Sequence, residues 1–196
     1  MSTEKDFEFI DMGGLTLMIE KLDRANSIIS EFLSLARNKV VDKKRMSLNA
    51  ILESLWPLIQ ADAAKSDKYV NLNLEKTPDL LLNDKDIRQI VLNLARNGLE
   101  AMPANGVLTI RTFTEGEQVV LAVEDQGGGI SPDALEKLGT PFFTTKEKGT
   151  GLGLAVCYSI ADCHKASIKV ETSPQGTNFF VRFGMEVLSS YRIAKY

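Results

Sequence analysis

Two strand-like runs, VLTIRTF at residues 107–113 and VVLAVED at residues 119–125, stand either side of a short turn at Glu115 and Gly116. That spacing pairs them antiparallel as a hairpin. Around the hairpin, helical and strand patterns follow one another without strict strand–helix–strand order. Ser47 caps a helix carrying Leu48, Ile51, Leu52, Leu55 and Leu58; residues 70–74 alternate as a strand; Asn83 or Asp84 caps a second helix. Ser131 and Pro132 then open a short helix, and residues 138–153 show no period. Residues 154–161 are apolar and helical, and residues 167–170 and 178–183 read as closing strands. The economical architecture is a two-layer α/β sandwich, a mixed sheet packed on helices. A chain of 196 residues has room for one such domain and a small appendage.

The appendage is a long N-terminal helix. Leu15, Leu22, Ile29 and Ala36 interleave with Met18, Ala25 and Phe32 as a seven-residue repeat, opposite a polar face of Glu20, Lys21, Asp23, Arg24, Ser27 and Glu31. Such a helix, spanning residues 15–40, wants a partner: the domain's own core or, as the persistence of the repeat favours, a second helix in a bundle, here a homodimer. The basic stretch RNKVVDKKR reads as a solvated linker, with the globular domain running from Met46 to about residue 184 and a tail over residues 185–196. Residues 1–14 fit no element and read as disordered or as a cloning remnant.

A net charge of −3 gives no reason to expect nucleic acid or an anionic membrane as partner. Cys157 and Cys163 lie six apart on a helix, on different faces, which suits a mutual disulfide poorly. With no apolar run near the roughly 20 residues of a membrane span and no signal peptide at the start, the expected location is the cytoplasm.

Three stretches carry chemistry. In DKDIRQIVLNLARNGLEAM, residues 84–102, Ile87, Val91, Leu94, Gly98 and Ala101 form an apolar stripe while Gln89, Asn93, Asn97 and Glu100 step along another face. Asparagine is a poor helix former, so two of them four apart either bond neighbouring backbone or serve a ligand, the Asn97 carbonyl oxygen being suited to a hard cation that carries phosphates. In VEDQGGGI, residues 123–130, the glycines make a tight turn or let a flat ligand approach while the Asp125 carboxylate accepts from an amine such as adenine's. In TTKEKGTGLGLAV, residues 144–156, the glycines fit neither a Walker A loop nor the dinucleotide fingerprint. The stretch is a mobile loop or a lid whose Thr144, Thr145, Lys146, Lys148 and Thr150 reach phosphate oxygens ahead of a helix N-terminus.

In order and spacing these stretches together resemble the ATP-binding domain of sensor histidine kinases, of the superfamily that also holds gyrase, Hsp90 and MutL. QIVLNLARNGLEAM is similar to the N box, DQGGGI to the G1 box, PFFTTKEKG to the F box, GTGLGL to the G2 box, and Gly176-Thr177 with Phe179 to the closing element. The resemblance covers residues 46–183 and implies the fold of the histidine-kinase ATPase domain. LTLMIEKLDRANSIISEFLSLAR looks like the second helix of that family's dimerisation bundle.

The resemblance implies that Asn97 binds Mg²⁺, that Asn93 lies beside the phosphates of ATP, and that Asp125 holds the adenine amine with Gly127 and Gly129 making room for the ring. Lys146 joins Asn93 and Asn97 in catalysis. The ATP lid would comprise Thr145, Lys146, Gly149, Thr150, Gly151, Leu152 and Gly153, with Thr177 near adenine through water. Relatives that hydrolyse ATP carry a Glu four residues before the metal-binding Asn; here that residue is Asn93, an amide unable to take a proton, so hydrolysis should be slow. Asp125→Ala is expected to remove adenine recognition with the fold intact.

Two features depart from the family. Its phosphoacceptor His on the first bundle helix has no counterpart, because the only histidine is His164, which reads as structural. Lys165-Ala166 replaces a usual Gly turn, and Gly98 stands where Ala is usual. The expected activity is therefore transfer from Mg·ATP to a histidine on the phosphoacceptor helix of the same kinase family, supplied elsewhere through truncation or a separate chain. A response regulator is the expected partner of the full-length protein, whose parent could be membrane-anchored. The rivals are a nucleotide-independent interaction module and a slow ATPase or protein-serine kinase on the same fold.

Overall fold

The computed structural model describes residues 12–36, 42–146 and 149–185. The expectations for residues 1–11, for residues 37–41 of the linker, for Lys148 and for the tail from residue 186 lie outside the described residues. The chain divides into two compact units, Met1–Arg37 and Asn38–Tyr196.

The first unit holds one helix, α1 (Met12–Ala36). Its repeat positions Leu15, Met18, Leu22, Ile29 and Phe32 are 44% to 65% exposed, and so are Leu17, Ile19 and Leu33.

The second unit runs β1 (Lys44–Met46), α2 (Leu48–Ala64), β2 (Tyr69–Leu74), β3 (Leu80–Leu82), α3 (Asp84–Ala101), β4 (Val107–Glu115), β5 (Gln118–Asp125), α4 (Pro132–Leu135), α5 (Gly153–Cys163), β6 (Ser167–Ser173) and β7 (Gly176–Gly184). Five strands lie in the order β2-β4-β5-β7-β6; β2 runs parallel to β4 and the other pairs are antiparallel, giving the expected mixed sheet. Helix α3 packs on β4 and β5, flanked by α2 over β2 and α5 over β6. The core between the layers is made by Leu48, Leu52, Ile87, Ile90 and Leu94 from the helices and Leu108, Ile110 and Leu121 from the sheet, all at most 1% exposed. Each such side chain contributes about 2 kcal/mol by leaving water.

Several elements differ from the sequence reading. Lys44 and Arg45, read as linker, belong to β1, which pairs with β3 over three residues. Strands that short carry no periodic signal. The hairpin turn sits one residue later than read: Glu115 pairs with Gln118, leaving Gly116 and Glu117 as the two-residue loop, with Gly116 at φ +58°. A type II′ turn places glycine there. Helix α2, read through Leu58, continues to Ala64 because Ile59 and Ala63 still bury their side chains, whereas Leu58, counted on its apolar face, is 49% exposed. Ala101, counted in the apolar stripe of α3, is exposed, and Leu99 is buried instead. Ser131 precedes α4 but its hydroxyl makes no capping bond. Asn83, by contrast, caps α3 as expected, its side chain accepting from Asp86 N.

Candidate functional site

Strand register builds one end of the site. In the ladder, Asp125 stands opposite Thr177 and Thr177 opposite Thr172. Alternation along each strand puts all three on the face that carries Leu108, Ile110 and Val123, beneath the helices. This row, the last of that face, puts polar side chains beside the apolar row of Ile110, Val123 and Phe179.

Asp125 is 9% exposed. Its Oδ1 accepts from the backbone N–H of Gly127 at 2.8 Å and of Thr177 at 3.2 Å. No described residue donates to Oδ2. Burial pushes the carboxyl pKa up; the two backbone N–H bonds and the Lys146 charge pull it back toward the ionised form. The side-chain oxygens of Thr172 and Thr177 lie 3.2 Å apart, and Thr172 Oγ1 accepts from Ile130 N at 2.9 Å. These bonds fasten the G1-like loop to the closing hairpin.

The structure corrects one expectation here. Removing the Asp125 side chain would orphan two backbone N–H groups at a buried position, at about 1–3 kcal/mol each, so Asp125→Ala removes structural bonds and the fold is not left untouched as expected.

Helix α3 supplies the other side. Asn93 donates from Nδ2 to the carbonyl of Gly153 at 3.1 Å, tying α3 to the first residue of α5. One turn on, Asn97 Oδ1 accepts from Lys146 Nζ at 3.2 Å, and the same ammonium meets Glu100 Oε2 at 2.5 Å. The structure thus brings the lid lysine onto the face of α3 that carries both asparagines. Gly98, between these residues, lets α3 approach the sheet: a Cβ there would lie 2.5 Å from Leu108 Cδ1 and 3.2 Å from Asp125 Cβ.

The lid is held at its ends. Phe142 N donates to Gly151 O at 3.0 Å, Lys146 N to Thr144 Oγ1 at 3.1 Å, and Gly149 N to Lys146 O at 3.1 Å. Gly151 sits at φ +69°, and a Cβ there would come within 2.4 Å of the Phe142 backbone. Gly129, at φ +76°, is equally closed to a side chain, which would meet Ser173 O at 2.2 Å. At Gly127 a Cβ would lie 2.8 Å from Ala101 O, whereas at Gly153 it would meet Asn93 only at ordinary distance. Thr145 is exposed beside Lys146, and Thr150 Oγ1 accepts from Leu152 N at 3.3 Å. The Leu152 side chain is fully buried. It anchors this loop in the core, which leaves only the Leu152 backbone for the binding role expected of it. Helix α5 starts with no side-chain cap, leaving its first N–H groups to an anion.

Among the described residues no cluster of three His, Cys, Asp or Glu could hold a metal. Asn97 fits a cation that takes one or two protein oxygens and completes its shell with water and phosphate, as magnesium does, and its oxygen already faces a positive charge.

His164 lies at the end of α5, 8% exposed. Its Nδ1 lies 2.9 Å from Ile160 O and its Nε2 accepts from Asn83 N at 3.1 Å, so the neutral ring joins the end of α5 to the cap of α3. Both nitrogens are in use, as the structural reading expects. Sequence reasoning gave no site role to Thr172 or Glu100. The place of Thr172 follows from the register of the closing strands and the importance of Glu100 from where the lid folds, and no local pattern encodes either.

The sequence matches the family described as histidine kinase-, DNA gyrase B-, and HSP90-like ATPase over residues 83–187. Among curated proteins it is 34% identical over 158 residues to sporulation kinase C of Bacillus subtilis (80% of this chain, 37% of that protein). It is 37% identical over 174 residues to sporulation kinase D of the same organism (88% and 33%). The chain therefore spans about a third of the length of these relatives. Among solved structures, the catalytic domain of the histidine kinase ThkA superposes with a TM-score of 0.68 at 27% identity, covering 74% of this chain and 96% of that one. ThkA in complex with the response regulator TrrA superposes with a TM-score of 0.74 at 24% identity, covering 92% and 53%.

Proposed function

The chain belongs to the histidine kinase-, DNA gyrase B-, and HSP90-like ATPase family, and from that premise we propose that it is the ATP-binding catalytic domain of a two-component sensor histidine kinase. It passes the γ-phosphoryl group of Mg·ATP to a histidine outside these residues. The observation that carries this reading is Asp125, whose Oδ1 is taken by two backbone amides while no described residue donates to Oδ2. A carboxylate held in that way accepts the exocyclic amine of adenine through Oδ2, and the G1-like loop beside it is fixed by Gly127 packed on Ala101 O and Gly129 packed on Ser173 O.

Phosphates then lie along α3 toward the lid. Lys146 and the uncapped start of α5 supply positive charge, and Asn97 would hold magnesium, which when bound offsets the charge of the phosphates. Asn93 positions the base of the lid through Gly153 and, as an amide, activates no water, so the γ-phosphoryl group survives until a histidine nitrogen attacks. His164 is unsuited to be that acceptor, being buried with both nitrogens bonded. The exposed apolar repeat of α1 supports a homodimer through residues 15–40, with the acceptor histidine on the family's partner helix. A response regulator would receive the phosphoryl group, as the complex of ThkA with TrrA suggests. No described helix is long and apolar enough to cross a membrane, and the domain works in the cytoplasm.

The test is calorimetric titration with ATP, with and without Mg²⁺, followed by labelled ATP together with a separately supplied phosphoacceptor helix. Saturable binding and an acid-labile label on the helix support the kinase. A folded protein that binds no ATP is an interaction module, and an acid-stable label is the mark of a serine kinase.

A further inference from the structure

The Lys146 ammonium sits between Asn97 Oδ1, at 3.2 Å, and Glu100 Oε2, at 2.5 Å. Both oxygens come from one turn of α3, and the amine arrives from the lid. An amide oxygen and a carboxylate are the donors a hard divalent cation takes from a protein. We propose that Lys146 is a stand-in cation: it occupies the oxygens of Asn97 and Glu100 in the nucleotide-free domain, and metal-nucleotide loads by displacing it toward the phosphates. Glu100 is the positioning residue that keeps the lysine at this post. The proposal rests on the reading of Asn97 as the metal ligand.

The surroundings support an exchange over a permanent bond. Glu100 is held only loosely by its own helix, with Arg96 Nε 3.6 Å away, so the lid lysine is its main partner. Lys146 and Glu100 retain 38% and 47% of their side-chain exposure, which keeps the pair screened and breakable. The Lys146 charge also favours the ionised form of the Asp125 carboxyl.

Two consequences separate this from a merely structural ion pair. A lysine that serves as counter-charge lets nucleotide bind without metal. Lys146→Met should therefore weaken binding of ADP in EDTA more than binding of Mg·ADP, raising the Mg²⁺ enhancement about fivefold, the scale of one screened ion pair. In nucleotide-free protein, Glu100→Gln should speed hydrogen exchange in Thr144, Thr145 and Lys146 by a similar factor, whereas Arg96→Gln should leave it unchanged. Calorimetry with ADP in the two buffers and hydrogen exchange by mass spectrometry read both. An unchanged Mg²⁺ enhancement in Lys146→Met, or equal lid exchange in wild type and Glu100→Gln, overturns the proposal. If Asn97→Ala still loses its metal dependence in that case, the kinase reading stands and only the stand-in fails; if wild type binds no nucleotide in either buffer, the kinase reading itself has failed.

Discussion

Asp125 receives the backbone N–H of Thr177 at 3.2 Å, across a strand pair in which the two residues stand directly opposite each other. Asp125→Asn keeps an acceptor for both backbone amides and turns Oδ2 into a donor that faces the adenine amine. The expected outcome is a variant as stable as wild type at pH 7 that binds ATP about ten- to a hundredfold more weakly, on the scale of one unmade hydrogen bond to a charged group. Asp125→Ala should lose the same affinity and about 2–6 kcal/mol of stability besides, for the two orphaned backbone N–H groups. Thermal melts and calorimetry separate the two, and undiminished ATP affinity in Asp125→Asn would remove Asp125 from the adenine site.

Asn97→Ala deletes the amide oxygen that faces Lys146 and leaves the core untouched, since Asn97 is only half-buried. ATP binding should become independent of Mg²⁺, with an unchanged melting temperature. Titration in EDTA and in magnesium decides it: a wild-type response to the metal rules out Asn97 as its ligand.

His164 makes stability depend on pH. Its pKa lies below the ordinary value of 6.5 chiefly through burial, with the Ile160 carbonyl and the Asp86 charge opposing and the Lys43 charge adding to the shift. The unfolded chain therefore binds a proton first, so the contribution of neutral His164 is complete above about pH 6.5 and is lost as pH falls below it toward the folded value. Urea midpoints from pH 7.5 down to 5.5 should fall in wild type and fall less steeply in His164→Gln. Parallel pH profiles would show that the ring titrates alike in both states.

Gly151 holds φ +69° with the Phe142 backbone against the space a side chain needs. In Gly151→Ala the strain of about 1–2 kcal/mol is relieved by loosening the lid, so ATP affinity drops about tenfold. The melting temperature should stay within about 2 °C, because the lid opens locally. A large fall in melting temperature with wild-type affinity would place the strain in the core instead.

Much of this was legible from local pattern. The helix Asp84–Ala101 announces itself by an Asn cap and a 3.6-residue stripe, and the hairpin by two apolar, strand-forming runs around Gly116. The asparagines, Asp125 and the lid were findable because polar residues and glycines at such positions conflict with propensity and so call for a reason. Strands Lys44–Met46 and Leu80–Leu82 were not, since a three-residue pair is made by tertiary contact alone. Nor could any window show that Lys146 reaches Glu100, 46 residues away, or that Thr172 lines up with Thr177, because both follow from how the lid and the sheet close.

The two-residue loop at Gly116 and Glu117 acts at a distance. Strand β5 alternates faces with a period of two, so the phase set where Glu115 meets Gln118 decides, about 25 Å further along, that Asp125 points beneath the helices and Glu124 away from them. Shifting the pairing by one residue would present the glutamate in place of the aspartate and strip the row shared with Thr177. Which carboxylate faces the candidate site is in this sense a property of a clock started at the opposite end of the strand, and residues far from that site keep its time.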